Sequence, residues 1–195
     1  MAHVEEITKG NKLNKNFLIS DHHWNHRNLL NFKRDDGTPL RHFTTVEEMN
    51  EHMIEAWNKV VTKDDKVYHL GDLCFKLEDL DAIMPRLNGT KVLIKGNHDQ
   101  LGMHQYMKYF KDVRAYHRLD NLLLSHIPIH PSSLGFKTPG MIHGHTHYRN
   151  VTMINAAGEE VLDPRYINVS VEVINYTPIE FEEVRQNFIA SGAAS

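Results

Sequence analysis

The sequence predicts an α/β domain, and three observations carry that expectation. Short apolar runs at 17–19, 66–70 and 91–94 alternate with stretches of helical periodicity at 45–61 and 77–87, the pattern of a sheet built from strand–helix–strand units. Each apolar run then breaks and delivers a His or Asp within a few residues, as expected where functional loops gather at the carboxyl ends of strands. Finally, 195 residues with 41% hydrophobic and 24% charged content suit one compact domain with a sizeable core.

Composition narrows the function classes. A formal net charge of −3 provides no global basic field for nucleic acid, although a local basic cleft remains open. Cys74 is the one cysteine, so no internal disulfide forms and a reducing, cytoplasmic setting is expected. The opening Met1-Ala2-His3-Val4-Glu5-Glu6 lacks a signal-peptide core, and no apolar run approaches the ~20 residues of a membrane span. No repeat, low-complexity linker or second domain is visible. The expectation is therefore a single domain over 1–195, with 1–15 a loose lead-in and 190–195 a frayed tail. It has no membrane partner and no dedicated nucleic-acid-binding domain. The unusual number is 15 histidines, the commonest metal ligand among side chains.

The elements follow in order. Phe17-Leu18-Ile19 is a short buried strand ending in Ser20-Asp21-His22-His23-Trp24-Asn25-His26. Asp21 and His23, two apart, project to one side of an extended chain and form half a metal site, with His22 pointing away. His26 and Arg27 lie just beyond, placed to meet a phosphate or to sit in a solvated loop. A polar connection follows, with a turn at Asp35-Asp36-Gly37-Thr38-Pro39. Thr44 or Thr45 then caps a helix in which Thr45-Val46-Glu47-Glu48 fits the capping box. Val46, Met49, Met53, Trp57, Val60 and Val61 form its apolar stripe, and Glu47, Glu51, His52, Glu55 and Lys59 its outer face.

Residues 66–70 form a second strand leading directly into Gly71-Asp72, with His69 packed inside it. A helix over 77–87 ends at Asn88-Gly89. The strand at 91–94 ends in Gly96-Asn97-His98-Asp99, where glycine lets the chain turn sharply and converge three polar side chains. A short helix is expected over 102–110, then a hairpin of strands 113–117 and 121–125 around Leu119-Asp120, which delivers His126. A proline-punctuated loop containing His130 leads to a strand at 141–143 and Gly144-His145-Thr146-His147. Arg149 follows. Strands at 151–155 and 159–162 form a hairpin, 165–173 a half-exposed strand, and Pro178 starts a final helix.

Five strand ends thus supply Asp21, His23, Asp72, Asn97, His126, His145 and His147. The set suffices for two divalent ions if one carboxylate bridges, an arrangement typical of phosphate-ester hydrolysis. No thiolate takes part, against a structural zinc site. His/Asp/Asn ligation suits Mn, Fe, Zn, Ni or Co.

Asp21-x-His23, Gly71-Asp72, Gly96-Asn97-His98-Asp99, a lone His126 and Gly144-His145-Thr146-His147, in that order over about residues 17–147, resemble the five motifs of the calcineurin-like metallophosphoesterases, in particular small single-domain members of bacteria and phages. The resemblance implies an αββα sandwich of two mixed β-sheets flanked by helices. It implies that Asp21, His23, Asp72 and His147 hold one metal, and that Asp72, Asn97, His126 and His145 hold the other, with Asp72 bridging. It also implies that His98 faces the leaving-group oxygen and Asp99 orients it. Mn is the favoured metal, and the nucleophile is a hydroxide held between the ions. The arginines that accompany the second and third motifs in the protein phosphatases are missing here: Asp72 continues into Leu73-Cys74-Phe75-Lys76, and Lys95 precedes Gly96. The expected substrate is therefore a small phosphodiester, with nucleotides in range. His26, Arg27, Asn97, His130 and Arg149 are the candidates for contacting it. A phosphomonoesterase on the same site, and a non-catalytic metal-binding interaction module on this fold, stand as alternatives.

Overall fold

The computed structural model describes residues 14–135 and 137–192. Nearly all of the expected lead-in over 1–15, and the end of the expected tail, lie outside them. The first element is β1 (Asn16–Ile19). Next is α1 (Val46–Val60), whose N-cap Thr45 accepts the Glu48 backbone N–H at 3.1 Å. The returning bond of the capping box goes one residue further out, from Thr44 N–H to Glu48 Oε2 at 2.8 Å. Val46, Met49, Met53, Trp57 and Val61 are buried along one stripe, as their spacing requires.

Then come β2 (Lys66–His69), α2 (Leu77–Ile83), β3 (Thr90–Ile94) and the single-turn α3 (Met103–Tyr106). The helix expected over 77–87 tightens into a 3-10 turn at Met84–Arg86, where Pro85 sits in its first turn. β4 (Asp112–Arg114), β5 (Tyr116–Leu119), β6 (Leu122–Ser125) and β7 (Gly140–His143) follow. The last group is β8 (Thr152–Ile154), β9 (Glu160–Leu162), β10 (Tyr166–Asn168), β11 (Ile179–Glu180) and α4 (Phe181–Ala190).

The strands build two mixed sheets and a separate β8–β9 hairpin. The first sheet has the order β11-β1-β2-β3-β4, parallel except for β11; the second has the order β10-β7-β6-β5, parallel except for β5. Side-chain alternation divides the first sheet between two apolar layers. Phe17, Ile19, Val67 and Leu93 pack with Met49, Met53 and Trp57 of α1 and with Leu80 and Ile83 of α2. Leu18, Tyr68, Val92 and Ile94 face the other way, toward Leu122, Leu124 and Ile142 of the second sheet and Phe181, Val184 and Phe188 of α4. Full burial of each such side chain stabilises the fold by about 1.5–3 kcal/mol. No helix among the described residues is long and apolar enough to cross a membrane.

Three expectations need correction. The strand predicted at 113–117 divides: β4 extends the first sheet beside β3, while β5 pairs with β6 in the second. One continuous stretch serves both sheets, with Ala115 at the switch. The final helix begins at Phe181 rather than at Pro178, because Ile179 and Glu180 first pair antiparallel with β1. The half-exposed strand predicted over 165–173 is fully buried from Asn168 to Val171, because there it runs between the two sheets. Ser20 N–H donates to Val169 O at 3.0 Å and Val171 N–H to Ser20 O at 3.1 Å, while Val169 N–H donates to His143 O at 2.9 Å. These bonds hold the carboxyl ends of β1, β7 and β10 together.

Candidate metal centre

The seam gathers the loops that leave β1, β2, β3, β6 and β7. Asp21 and His23 do share one side, but not by lying on an extended chain. Both are left-handed, with φ of 63° and 50°, as are Asp72 (57°), His145 (70°) and His147 (52°). Residues in sparsely populated backbone regions cost roughly 1–3 kcal/mol each and persist where their surroundings over-determine them; Asp and His tolerate this region better than most side chains. Here the constraint is a ladder between two loops: Asp21 N–H donates to Gly71 O at 3.0 Å, His23 N–H to Asp72 O at 3.0 Å and Trp24 N–H to Leu73 O at 2.7 Å. His22, facing away as expected, stacks on Trp24 and bonds His69 in the interior. The glycines permit the crowding. A Cβ on Gly144 would overlap Ser20 Oγ and the Asp21 carboxylate, and one on Gly96 would overlap the Asp72 carboxylate.

The ligand-type side chains fall into two groups, Asp21 with His23 and His147, and Asp72 with His126 and His145. Within each group, the candidate ligand atoms lie within 4.8 Å of one another. Asp72 stands between them, its Oδ2 3.5 Å from His23 Nε2 and 3.3 Å from His126 Nε2. Its other oxygen is tied down by His98 N–H at 2.9 Å.

The hydrogen bonds around the groups fix which atoms point inward. His126 Nδ1 lies 2.7 Å from Leu70 O, to which the ring donates, and its Nε2 faces Asp72 and Asn97 Oδ1, the latter 3.0 Å away; against its burial, Asp72 and Asp21 raise the pKa of this imidazole, so Nε2 holds a proton that a cation would replace. His147 likewise donates from Nδ1 to Glu172 Oε1 at 3.1 Å. Asp21 Oδ2 accepts from His145 N–H at 2.9 Å and from Ser170 Oγ at 3.0 Å. Both ring nitrogens of His23 are buried without a hydrogen-bond partner. Four imidazoles and two carboxylates thus converge, with both His23 ring nitrogens left unpaired, and unpaired buried polar atoms are costly. A cation between them relieves this, so the donor set fits divalent metal. Proton equilibria reflect the same crowding. Burial pushes the Asp72 carboxyl up, but His126, the His98 amide and His23 outweigh it and hold it at about 2. Burial drives His23 well below the ordinary imidazole range, so its ring is neutral and available as a ligand.

Asp99 bonds the backbone of its own loop and of the neighbouring one rather than the His98 ring. It is buried, and its oxygens accept three backbone N–H groups: Gly96 at 2.8 Å, Asp72 at 2.9 Å and Leu73 at 2.9 Å. These bonds tie the β3 loop to the β2 loop and fix Asp72. The His98 ring stands edge-on to His23 and Phe75, at 5.4 and 5.2 Å between ring centroids.

Of the substrate-contact candidates, Asn97 and His26 are at the site. The His26 ring lies 5.9 Å from His23 and 4.9 Å from Phe75. Arg27 is turned to Glu47, 3.6 Å away on the surface. His130 caps the 3-10 turn at Pro131–Ser133, accepting from Ser132 N–H. Arg149 reaches the rim, but its guanidinium is held by the Asp35 carboxylate at 2.5 and 3.1 Å.

Two important residues were not picked out from the sequence. Arg41 and Glu172 are both buried, and Arg41 donates to Glu172 Oε1 from Nε at 2.8 Å, to Asp21 O at 2.5 Å and to His22 O at 2.7 Å. Burial pushes the Glu172 carboxyl up, but the Arg41 charge and His147 bring it down to about 2. The available signal was that Asn168, Ser170 and Glu172 alternate along one polar face that ends in a charge.

Beside His145 and His147 a cleft of ≈ 680 Å³ opens between two loops, lined also by Asn31, Phe32, Lys33, Leu40, Tyr148 and Arg149.

No family model matches the chain. Among curated proteins, it is 35% identical over 176 residues to the uncharacterized protein MJ1445 of Methanocaldococcus jannaschii, across 87% of this chain and 89% of the relative. It is 32% identical to the gene 66 protein of Mycobacterium phage D29, across 69% of this chain and 80% of that protein. The crystal structure of the Aquifex aeolicus protein of unknown function AQ665 superposes with a TM-score of 0.66 at 26% identity, covering 88% of this chain and 98% of that one, so the two share a fold.

Proposed function

The chain belongs to the family of the Methanocaldococcus jannaschii protein MJ1445, and we propose that it is a dinuclear metal-dependent phosphoesterase on the αββα sandwich of the calcineurin-like metallophosphoesterases, acting on small phosphodiesters. The observation that carries the reading is the position of Asp72 Oδ2 between the two His/Asp groups, 3.5 Å from His23 Nε2 and 3.3 Å from His126 Nε2. A carboxylate shared between two cations offsets their mutual repulsion. Asp21, His23, Asp72 and His147 would hold one ion, and Asp72, Asn97, His126 and His145 the other. When bound, such a pair supplies Lewis acidity, lowering the pKa of water and neutralising phosphate oxygens.

The protein's own groups do the rest. His98 is anchored by its backbone N–H to Asp72 Oδ1, which keeps its ring at the mouth of the site beside Phe75 and His23. From there it protonates the departing alkoxide oxygen. Asp99 positions the Asp72 loop through three amides. Glu172 holds His147 in the tautomer that turns Nε2 inward.

The diester preference rests on charge. A phosphomonoester carries close to two negative charges at neutral pH and a diester one, and the extra charge favours an arginine fork. The two candidate arginines face carboxylates, Arg27 that of Glu47 and Arg149 that of Asp35, and the buried Arg41 is paired with Glu172. The test is hydrolysis by Mn²⁺-loaded protein, comparing kcat/KM for bis-p-nitrophenyl phosphate and p-nitrophenyl phosphate, then cyclic nucleotides. The diester is expected to win. A monoester preference of about tenfold, roughly 1.4 kcal/mol of transition-state discrimination, overturns the substrate assignment; no metal-dependent hydrolysis of any ester overturns the class.

A further inference from the structure

Resting on that reading, we propose that the cleft beside His145 and His147 is the subsite for the organic group of the substrate, and that this group is a nucleoside whose base lies against Phe32. The cleft begins at two residues of the proposed metal centre and measures ≈ 680 Å³. A phosphate held at the centre would therefore project its ester group directly into it. That volume falls within the range of small-molecule sites and exceeds what a short alkyl ester fills.

The lining selects the chemistry. Phe32 is 48% exposed and lines the cleft, so it presents an aromatic surface to whatever occupies it. Its ring meets His26 edge-on at 6.1 Å, an orientation that braces the ring without stacking His26 against it. Asn31, beside it at the end of a 3-10 turn, brings an amide that both donates and accepts, suited to the polar edge of a heterocycle. Lys33 lines the same cleft and forms no ion pair among the described residues, which adds one positive charge for an anionic ligand. An apolar face, a two-way hydrogen-bonding amide and a lysine outside any ion pair among the described residues, together in one cleft, describe a nucleoside phosphate better than a lipid, which needs no amide, or a sugar phosphate, which needs no aromatic face. Tyr148 completes the far wall, with Arg34 and Arg149 each over its ring at 5.2 and 5.0 Å.

The test is calorimetric binding of two phosphate ligands that differ in the base, adenosine 5′-monophosphate and ribose 5-phosphate, to the Mn²⁺-loaded full chain. Base–aromatic stacking predicts that the nucleotide binds at least ~5-fold more tightly. Phe32→Ala should bring the ratio close to one while leaving ribose 5-phosphate affinity and melting temperature unchanged, since Phe32 is exposed at the surface. Equal affinities in the wild type, or a ratio that survives Phe32→Ala, overturn the subsite while the phosphoesterase reading stands on its hydrolysis assay. If neither ligand binds and no ester is hydrolysed, both readings fall.

Discussion

Glu172 Oε1 lies 3.1 Å from Nδ1 of His147 and is held there by the buried guanidinium of Arg41. The pair forms the floor of the candidate site, since Arg41 also binds the carbonyls of Asp21 and His22. Glu172→Gln keeps the shape but leaves Arg41 without its counter-charge and weakens the hold on His147. The expected outcome is about 10–100-fold weaker metal binding, together with a lower melting temperature because a buried charge is left uncompensated. Chelator competition and thermal melts measure the two effects. Unchanged metal affinity would mean that Glu172 does not act through His147.

The same residue predicts a pH signature. Its carboxyl titrates at about 2 in the fold against an ordinary 4.5. A depressed folded pKa contributes stability that is fully present above the unfolded value and is lost as the pH falls through the folded one. The melting-temperature difference between wild type and Glu172→Gln, measured without metal, should therefore shrink as the pH drops from about 5 to about 2. A difference that is constant or grows over that window contradicts the assignment.

Asp99 and His98, neighbours in one motif, should separate by leaving group. Asp99→Asn sets an amide NH₂ against backbone donors that now have carboxylate oxygens, costing about 1–3 kcal/mol for an unsatisfied buried group. It should lower the melting temperature and reduce turnover equally for alkyl and p-nitrophenyl esters. His98→Ala should retain metal and melting temperature while losing roughly 10²–10⁴-fold with a poor leaving group, and less with p-nitrophenolate, which departs without a proton. A leaving-group dependence in Asp99→Asn would restore the orienting role that its bonds argue against.

Much of this arrangement was legible in the sequence because period and position report burial. The stripe from Val46 to Val61, the strand ends and the order of the His and Asp clusters all follow from local rules. What was not legible depends on distant partners. Left-handed Asp21 and His23 look like any extended dipeptide until the 71–73 backbone runs beside them. Asp99 reads as a partner for adjacent His98, yet three amides reach it first. Arg41 lies in a polar connection and Glu172 in the turn that follows β10, 131 residues apart, and neither has a local pattern that announces burial. Ile179 has helical spacing but is taken by β1 before α4 begins, because an open sheet edge outweighs a weak helix start.

The central claim is that Asp72 serves two ions at once, and metal content measured by elemental analysis after dialysis tests it most directly. Wild-type protein loaded with Mn²⁺ should retain about two ions per chain, the number a shared carboxylate implies. Asp72→Asn should lose both together, and Asp21→Asn mainly one. A wild-type stoichiometry of one or none, or equal partial loss in the two variants, would contradict the account.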